Sequence, residues 1–90
     1  MEATELSDGV VIYTTPWCPY CRLALALFDR KGVEVANIDV TGDHAKRAWL
    51  REVTGQHTVP QIFIDGQPYG GYSDVAALDA RGELDPLLGG

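Results

Sequence analysis

Cys18 and Cys21 are the only cysteines in this 90-residue chain, and they stand three apart where a β-branched run gives way to a helical pattern. Upstream, Val10-Val11-Ile12-Tyr13-Thr14 reads as a buried strand, because β-branched and aromatic side chains suit a covered, pleated surface. Thr15, Pro16 and Trp17 end it. Downstream, Pro19 suits the first helical position, where no N–H is needed, and Cys18 becomes the N-cap. Leu23, Ala24, Leu27 and Phe28 follow on one helical face, and Arg30-Lys31-Gly32 closes the helix. Val33 to Val40 reads as a second strand, so the pair of cysteines sits in the first turn of a right-handed βαβ unit with parallel strands.

The rest of the chain continues the alternation. Asp43 can cap a second helix with Ala45, Ala48, Trp49 and Val53 as its apolar positions and Gly55 at its end. Gln61 to Ile64 is a third strand, and Asp65-Gly66 is a strong two-residue hairpin signal that sends Gln67 to Tyr69 back antiparallel before Gly70-Gly71 breaks the sheet. Ser73 or Asp74 then starts a third helix with Val75, Ala76 and Leu78, ending at Arg81-Gly82. Asp85-Pro86 begins one more turn that returns Leu84, Leu87 and Leu88 to the core. The expected fold is α/β, a four-stranded mixed sheet flanked by helices in the order βαβαββα. Without repeats or linkers, residues 1–90 read as one domain.

Charge narrows the function classes. Seven Lys and Arg against 13 Asp and Glu leave a net charge of −6, which argues against a nucleic-acid partner. Met1 to Gly9 has neither a basic n-region nor an apolar h-region, and the apolar run Val10 to Tyr13 is far shorter than the roughly 20 residues that span a bilayer. No membrane association and a cytoplasmic location are therefore expected. In that reducing compartment a cysteine pair is catalytic or metal-binding, and a bridge closing so short a loop is a poor staple.

The helix start assigns roles within the pair. A sulfur at the N-cap faces the unpaired N–H groups of the first turn, including that of Cys21, and the positive end of the helix dipole, which together favour a thiolate. Cys18 is then the exposed attacking thiol and Cys21 the shielded one that resolves a mixed disulfide. Two plainer readings compete. Both cysteines could be small buried hydrophobes, or they could share a zinc ion with His44 and His57. The twelve residues between those histidines do not match the usual ligand spacing, and no metal site is expected.

Tyr13-Thr14-Thr15-Pro16-Trp17-Cys18-Pro19-Tyr20-Cys21 resembles the active-site segment of the dithiol glutaredoxins, bacterial-like in its Cys-Pro-Tyr-Cys form. Thr58-Val59-Pro60-Gln61-Ile62-Phe63-Ile64 is similar to their second motif and Gly70-Gly71-Tyr72-Ser73-Asp74 to their third, in the same order. The resemblance implies a thioredoxin fold and glutathione-dependent disulfide reduction. It also implies a cis Val59-Pro60 bond beside the active cysteine, with the Val59 backbone free to pair with the tripeptide. The γ-glutamyl end would meet Gly71 and the backbone N–H groups of Tyr72 and Ser73, with the Ser73 or Asp74 side chain on the ammonium. Tyr20 and Thr58 complete the glutathione-binding set. Many family members carry a Lys three residues ahead of the first cysteine, where this chain has Thr15. The glycine carboxylate is accordingly assigned to Arg47, with His57 secondary.

The resemblance implies no tightly bound cofactor, glutathione as reducing co-substrate, disulfide-bonded or glutathionylated proteins as partners, and a monomer. Two alternatives differ in donor or class. One is a glutaredoxin-like redoxin reduced by thioredoxin reductase. The other is a carrier in which two chains and two glutathiones hold an iron-sulfur cluster, a role that Pro19 disfavours by restricting the backbone after Cys18.

Overall fold

The computed structural model describes residues 9–89. Met1 to Asp8, on which most of the expectation about an export signal rests, lies outside the described residues, as does Gly90. The elements are β1 (Val10–Thr14), α1 (Pro19–Arg30), β2 (Val35–Asp39), α2 (His44–Thr54), β3 (Gln61–Ile64), β4 (Gln67–Gly70), α3 (Tyr72–Ala80) and the single turn α4 (Leu84–Leu87). They form a four-stranded mixed sheet in the order β2-β1-β3-β4. β1 runs parallel to β2 and antiparallel to β3, and β3 pairs antiparallel with β4.

β1 is covered on both faces, which is why its five residues are apolar without alternation until Thr14. Val10 and Ile12, with Ile62 and Ile64 of β3, face a layer built from Ala24, Leu27 and Phe28 of α1, Val75 of α3 and Leu84 of α4. Val11, Tyr13 and Phe63 face the other way and pack with Val40 and Leu50. There the Trp49 ring lies nearly parallel to Phe63 at 5.8 Å and meets Tyr13 edge-on at 5.7 Å. Helices α1, α3 and α4 thus cover one face and α2 the other. Both open ends of the first loop and of the β3 entry fall at the same edge of the sheet, because Tyr13 pairs with Gln61.

Local signals place the boundaries. Asp43 accepts from the Lys46 N–H at 3.0 Å to start α2, and Gly55 ends it at φ 75, a conformation that costs other residues energy. Asp65 and Gly66 both adopt positive φ, 50 and 83, as a type I′ hairpin turn requires. Lys31, after the end of α1, binds Asp79 at 2.7 Å and Asp85 at 2.8 Å, tying α1 to the last two helices. The hydrogen bond to Asp79, then that to Asp85, raises its pKa above the ordinary lysine value.

Four details differ from the sequence reading. Leu23 is exposed, and its place on the buried face of α1 is taken by Cys21. On α2, Ala45, Ala48 and Val53 face solvent, while Leu50 is buried and Trp49 half-buried. The expected stripe of Ala45, Ala48, Trp49 and Val53 keeps only Trp49 inward, because the aromatic layer of Tyr13 and Phe63 takes Leu50 beside it. β2 is shorter than expected, since Val33 and Val40 pack outside the ladder. α3 begins at Tyr72 with Gly71 as its cap, and β4 runs through Gly70, so the glycine pair joins the two elements directly.

Leu50 is the one buried side chain of α2. Leu50→Ala is expected to cost about 2–5 kcal/mol, whereas Val53→Ala should stay within about 1 kcal/mol because its site is open. Urea unfolding of the two variants checks this, and equal losses would contradict the assigned face.

Candidate active site

The loop after β1 delivers Cys18 to the start of α1. Its backbone is extended, at φ −112 and ψ 107, and Pro19 follows at the first helical position. The Cys21 N–H donates to the Cys18 sulfur at 3.2 Å, one of the first-turn donors that a helix cannot satisfy internally. The Cys18 thiol in turn donates to the Val59 carbonyl at 3.6 Å. Val59-Pro60 is a cis peptide, and it lies beside Cys18 as the resemblance implied. Cys18 is half-buried and both thiols are free.

Cys21 is 2% exposed, beneath the first turn of α1. Burial, then the hydrogen bond with Cys18, pushes its pKa up to about 12; the hydrogen bond from the Thr15 backbone works the other way, and the charge interaction with Cys18 adds a smaller rise. The two sulfurs are therefore inequivalent. One lies at the surface against a backbone donor, and the other is held as a neutral thiol.

Two recesses flank Thr58-Val59. A cleft of about 110 Å³ is lined by Arg47, Leu50, Arg51, His57, Thr58 and Val59. An Arg47 Nη donates to the His57 carbonyl at 3.1 Å, so this guanidinium braces the loop as well as facing the cleft. On the other side, Gly55, Gln56, His57, Thr58, Gly71 and Asp74 line a more open hollow. There the Gly71 N–H donates to the Asp74 carboxylate at 3.0 Å, in place of the expected Ser73 or Asp74 cap. Gly70 sits at φ 92, and a Cβ on it would collide with the Asp74 carboxylate. A Cβ on Gly71 would meet the Pro60 carbonyl oxygen at 3.4 Å. Ser73 is exposed in the first turn of α3, and the rings of Tyr72 and Tyr20 stack at 6.3 Å.

Of the expected residues, Val59 meets the Cys18 sulfur, Arg47, His57, Thr58 and Val59 line one recess, and His57, Thr58, Gly71 and Asp74 line the other. Thr15 stands behind the pair through its backbone. Among the described residues no three His, Cys, Asp or Glu side chains form a group that could hold a metal ion. Sequence reasoning missed Arg51, although its i+4 spacing from Arg47 places both on one helix face. It also missed Gln61, whose buried amide holds the Thr58 carbonyl at 2.9 Å.

Comparison with known proteins agrees with this geometry. The family model described as Glutaredoxin matches residues 10–69. The chain belongs to the glutaredoxin family. Glutaredoxin 3 of Escherichia coli K12 is 53% identical over 80 residues, 89% of this chain and 96% of that protein. A glutaredoxin of Pseudomonas aeruginosa is 49% identical over 79 residues, 88% and 94% of the two chains. Among solved structures, the buckwheat glutaredoxin–glutathione complex superposes with a TM-score of 0.88 at 35% identity, covering 97% of this chain and 84% of that one. The fold is the thioredoxin fold of these neighbours, and the protein is a thiol–disulfide oxidoreductase with Cys18 and Cys21 as its redox-active pair.

In the reduced glutaredoxin, iodoacetamide should modify Cys18 at pH 8 and leave Cys21 intact. Because the folded Cys21 pKa is raised, its thiolate is absent until the pH approaches about 12. Peptide mass spectrometry over a pH series reads the order, and labelling of Cys21 first would reverse it.

Proposed function

We propose that this glutaredoxin draws its electrons from glutathione and acts on protein disulfides and on protein–glutathione mixed disulfides. The observation that carries the reading is the position of Cys18, on the Val59 carbonyl with a cationic cleft on one side and the Gly71–Asp74 cap on the other. A tripeptide with a carboxylate at each end matches that layout. The similarity to the buckwheat glutaredoxin–glutathione complex supports it.

In this arrangement the cysteinyl unit of glutathione pairs with the Val59 backbone. Its glycine carboxylate meets Arg47, with His57 and Thr58 alongside and Tyr20 at the rim. The γ-glutamyl carboxylate takes the free N–H groups of Tyr72 and Ser73, and the Asp74 carboxylate faces the ammonium. Thr15 contributes no charge, so the glycine end depends on α2.

Cys18 thiolate attacks the glutathione sulfur of a mixed disulfide, the S–S bond breaks, and the protein leaves as a thiolate that takes a proton from water. A second glutathione thiolate then attacks the glutathione sulfur on Cys18. The Cys18 thiolate departs, and glutathione disulfide carries the two electrons' worth of oxidation away. With a protein disulfide, Cys18 forms the mixed disulfide and Cys21 expels the product by forming the Cys18–Cys21 bridge, which two glutathiones later reduce. Cys21 is suited to wait. Its raised pKa owes part of its size to Cys18, and that part disappears once the Cys18 sulfur is in a disulfide. In this reading the protein works as a monomer in the cytoplasm, without a tightly bound cofactor.

Reduction of a small glutathione mixed disulfide, coupled to glutathione reductase, tests the donor. Turnover with thioredoxin reductase but not with glutathione would refute it. In the same assay Cys18→Ser should abolish activity, whereas Cys21→Ser should keep removal of glutathione and lose reduction of protein disulfides. Arg47→Ala should raise the KM for glutathione about two- to fivefold with little change in kcat, the size expected of an ion pair at an open cleft. An unchanged KM would make Arg47 a brace for the His57 carbonyl alone.

A further inference from the structure

Gln61 opens β3 beside the site, yet its side chain is not a core residue in the ordinary sense. The residue is 1% exposed. Its amide nitrogen donates to the Thr58 carbonyl at 2.9 Å and to the Gln56 side-chain oxygen at 3.0 Å, while its buried amide oxygen has no hydrogen-bond partner among the described residues. The orientation follows from the first contact, because only the nitrogen can donate to a carbonyl. A buried acceptor without a partner opposes folding, so an apolar side chain of similar length would suit the fold at least as well. The gain lies in what the donor edge holds.

Thr58 is bonded directly to Val59, whose carbonyl receives the Cys18 thiol. Gln56 is itself fixed, since its N–H donates at 3.0 Å to the Thr54 hydroxyl at the end of α2. The Gln61 amide therefore joins the rigid start of β3 to both ends of the loop between α2 and Pro60. The His57-Thr58 peptide plane keeps its bond to Arg47, but without Gln61 the Thr58-Val59 plane, which carries the Val59 N–H, would lose the bond to its carbonyl.

We infer that Gln61 is a positioning residue for glutathione: its buried amide sets the orientation of the Thr58-Val59 backbone that pairs with the tripeptide. This rests on the glutathione reading above. Loss of one such hydrogen bond predicts a roughly three- to tenfold rise in the KM for glutathione. Because the pairing is shared by ground and transition states, kcat should remain within about twofold.

The test compares wild type with Gln61→Met, of similar length but without a donor, and with Gln56→Ala, a surface change that leaves Gln61 in place and should give a smaller rise. Three measurements are made: the glutathione KM and kcat, the rate at which dithiothreitol reduces the Cys18–Cys21 bridge, and backbone NMR order parameters of the free protein. The expected result is a higher glutathione KM, an unchanged dithiothreitol rate, and lowered order at Val59 with Ile62 and Ile64 unaffected. An unchanged KM, an unchanged Val59 order parameter, or equal losses with glutathione and dithiothreitol would each overturn the inference. Failure of wild type to saturate with glutathione would instead refute the donor assignment, and the Val59 order parameter would then decide the role of Gln61.

Discussion

The structure depends on the meeting of two backbone segments at one sulfur. Cys18 can lie between the Cys21 N–H and the Val59 carbonyl only because β1 ends and β3 begins at the same edge of the sheet. The antiparallel pairing of Tyr13 with Gln61 sets that coincidence, and the aromatic layer of Tyr13, Phe63 and Trp49 holds the pairing on its far side. The active site is in this sense a by-product of register. A slip of one residue in β3 would turn Phe63 toward α1 and move the Val59 carbonyl away from the thiol.

The inequivalence of the two thiols follows from helix geometry. A residue at the N-cap lies outside the helix and projects over its first turn, whereas the residue three positions on belongs to the face that packs on the sheet. Cys18 is therefore reachable while Cys21 joins Ala24, Leu27 and Phe28 in the buried stripe. The same stripe explains the misplaced Leu23: with Cys21 taken into the core, its neighbour two positions on points outward.

Local chemistry made most of the fold readable. Pro19, Asp43, Gly55 and Asp65-Gly66 each demand a particular backbone, and each stands at an observed boundary. The expected inner stripe of α2 was wrong except at Trp49: Ala45, Ala48 and Val53 keep helical spacing but face solvent, and Leu50 is buried instead. Tertiary packing made that choice. At the site, the cysteine pair and the three motifs were legible as residues, but the Gly71 cap, the Arg47–His57 contact and the Gln61 amide were not. These are contacts across 3 to 10 positions whose existence depends on how a loop closes, and composition carries no trace of them.

The charge distribution explains why backbone placement matters here. The chain carries a net charge of −6, so its summed field opposes an anionic substrate on approach and is largely screened beyond a Debye length of about 8 Å. Attraction begins only at short range, where Arg47 and Arg51 line one cleft and the N-termini of α1 and α3 open toward the same surface. Recognition then rests less on steering than on hydrogen bonds whose donors must already point the right way, since each peptide plane left to rotate adds an ordering cost to binding. The cross-links between the α2–β3 loop and its surroundings meet this requirement. Arg47 fixes the His57 carbonyl from α2, Gln61 fixes the Thr58 carbonyl from β3, and the segment between them reaches Cys18 already oriented.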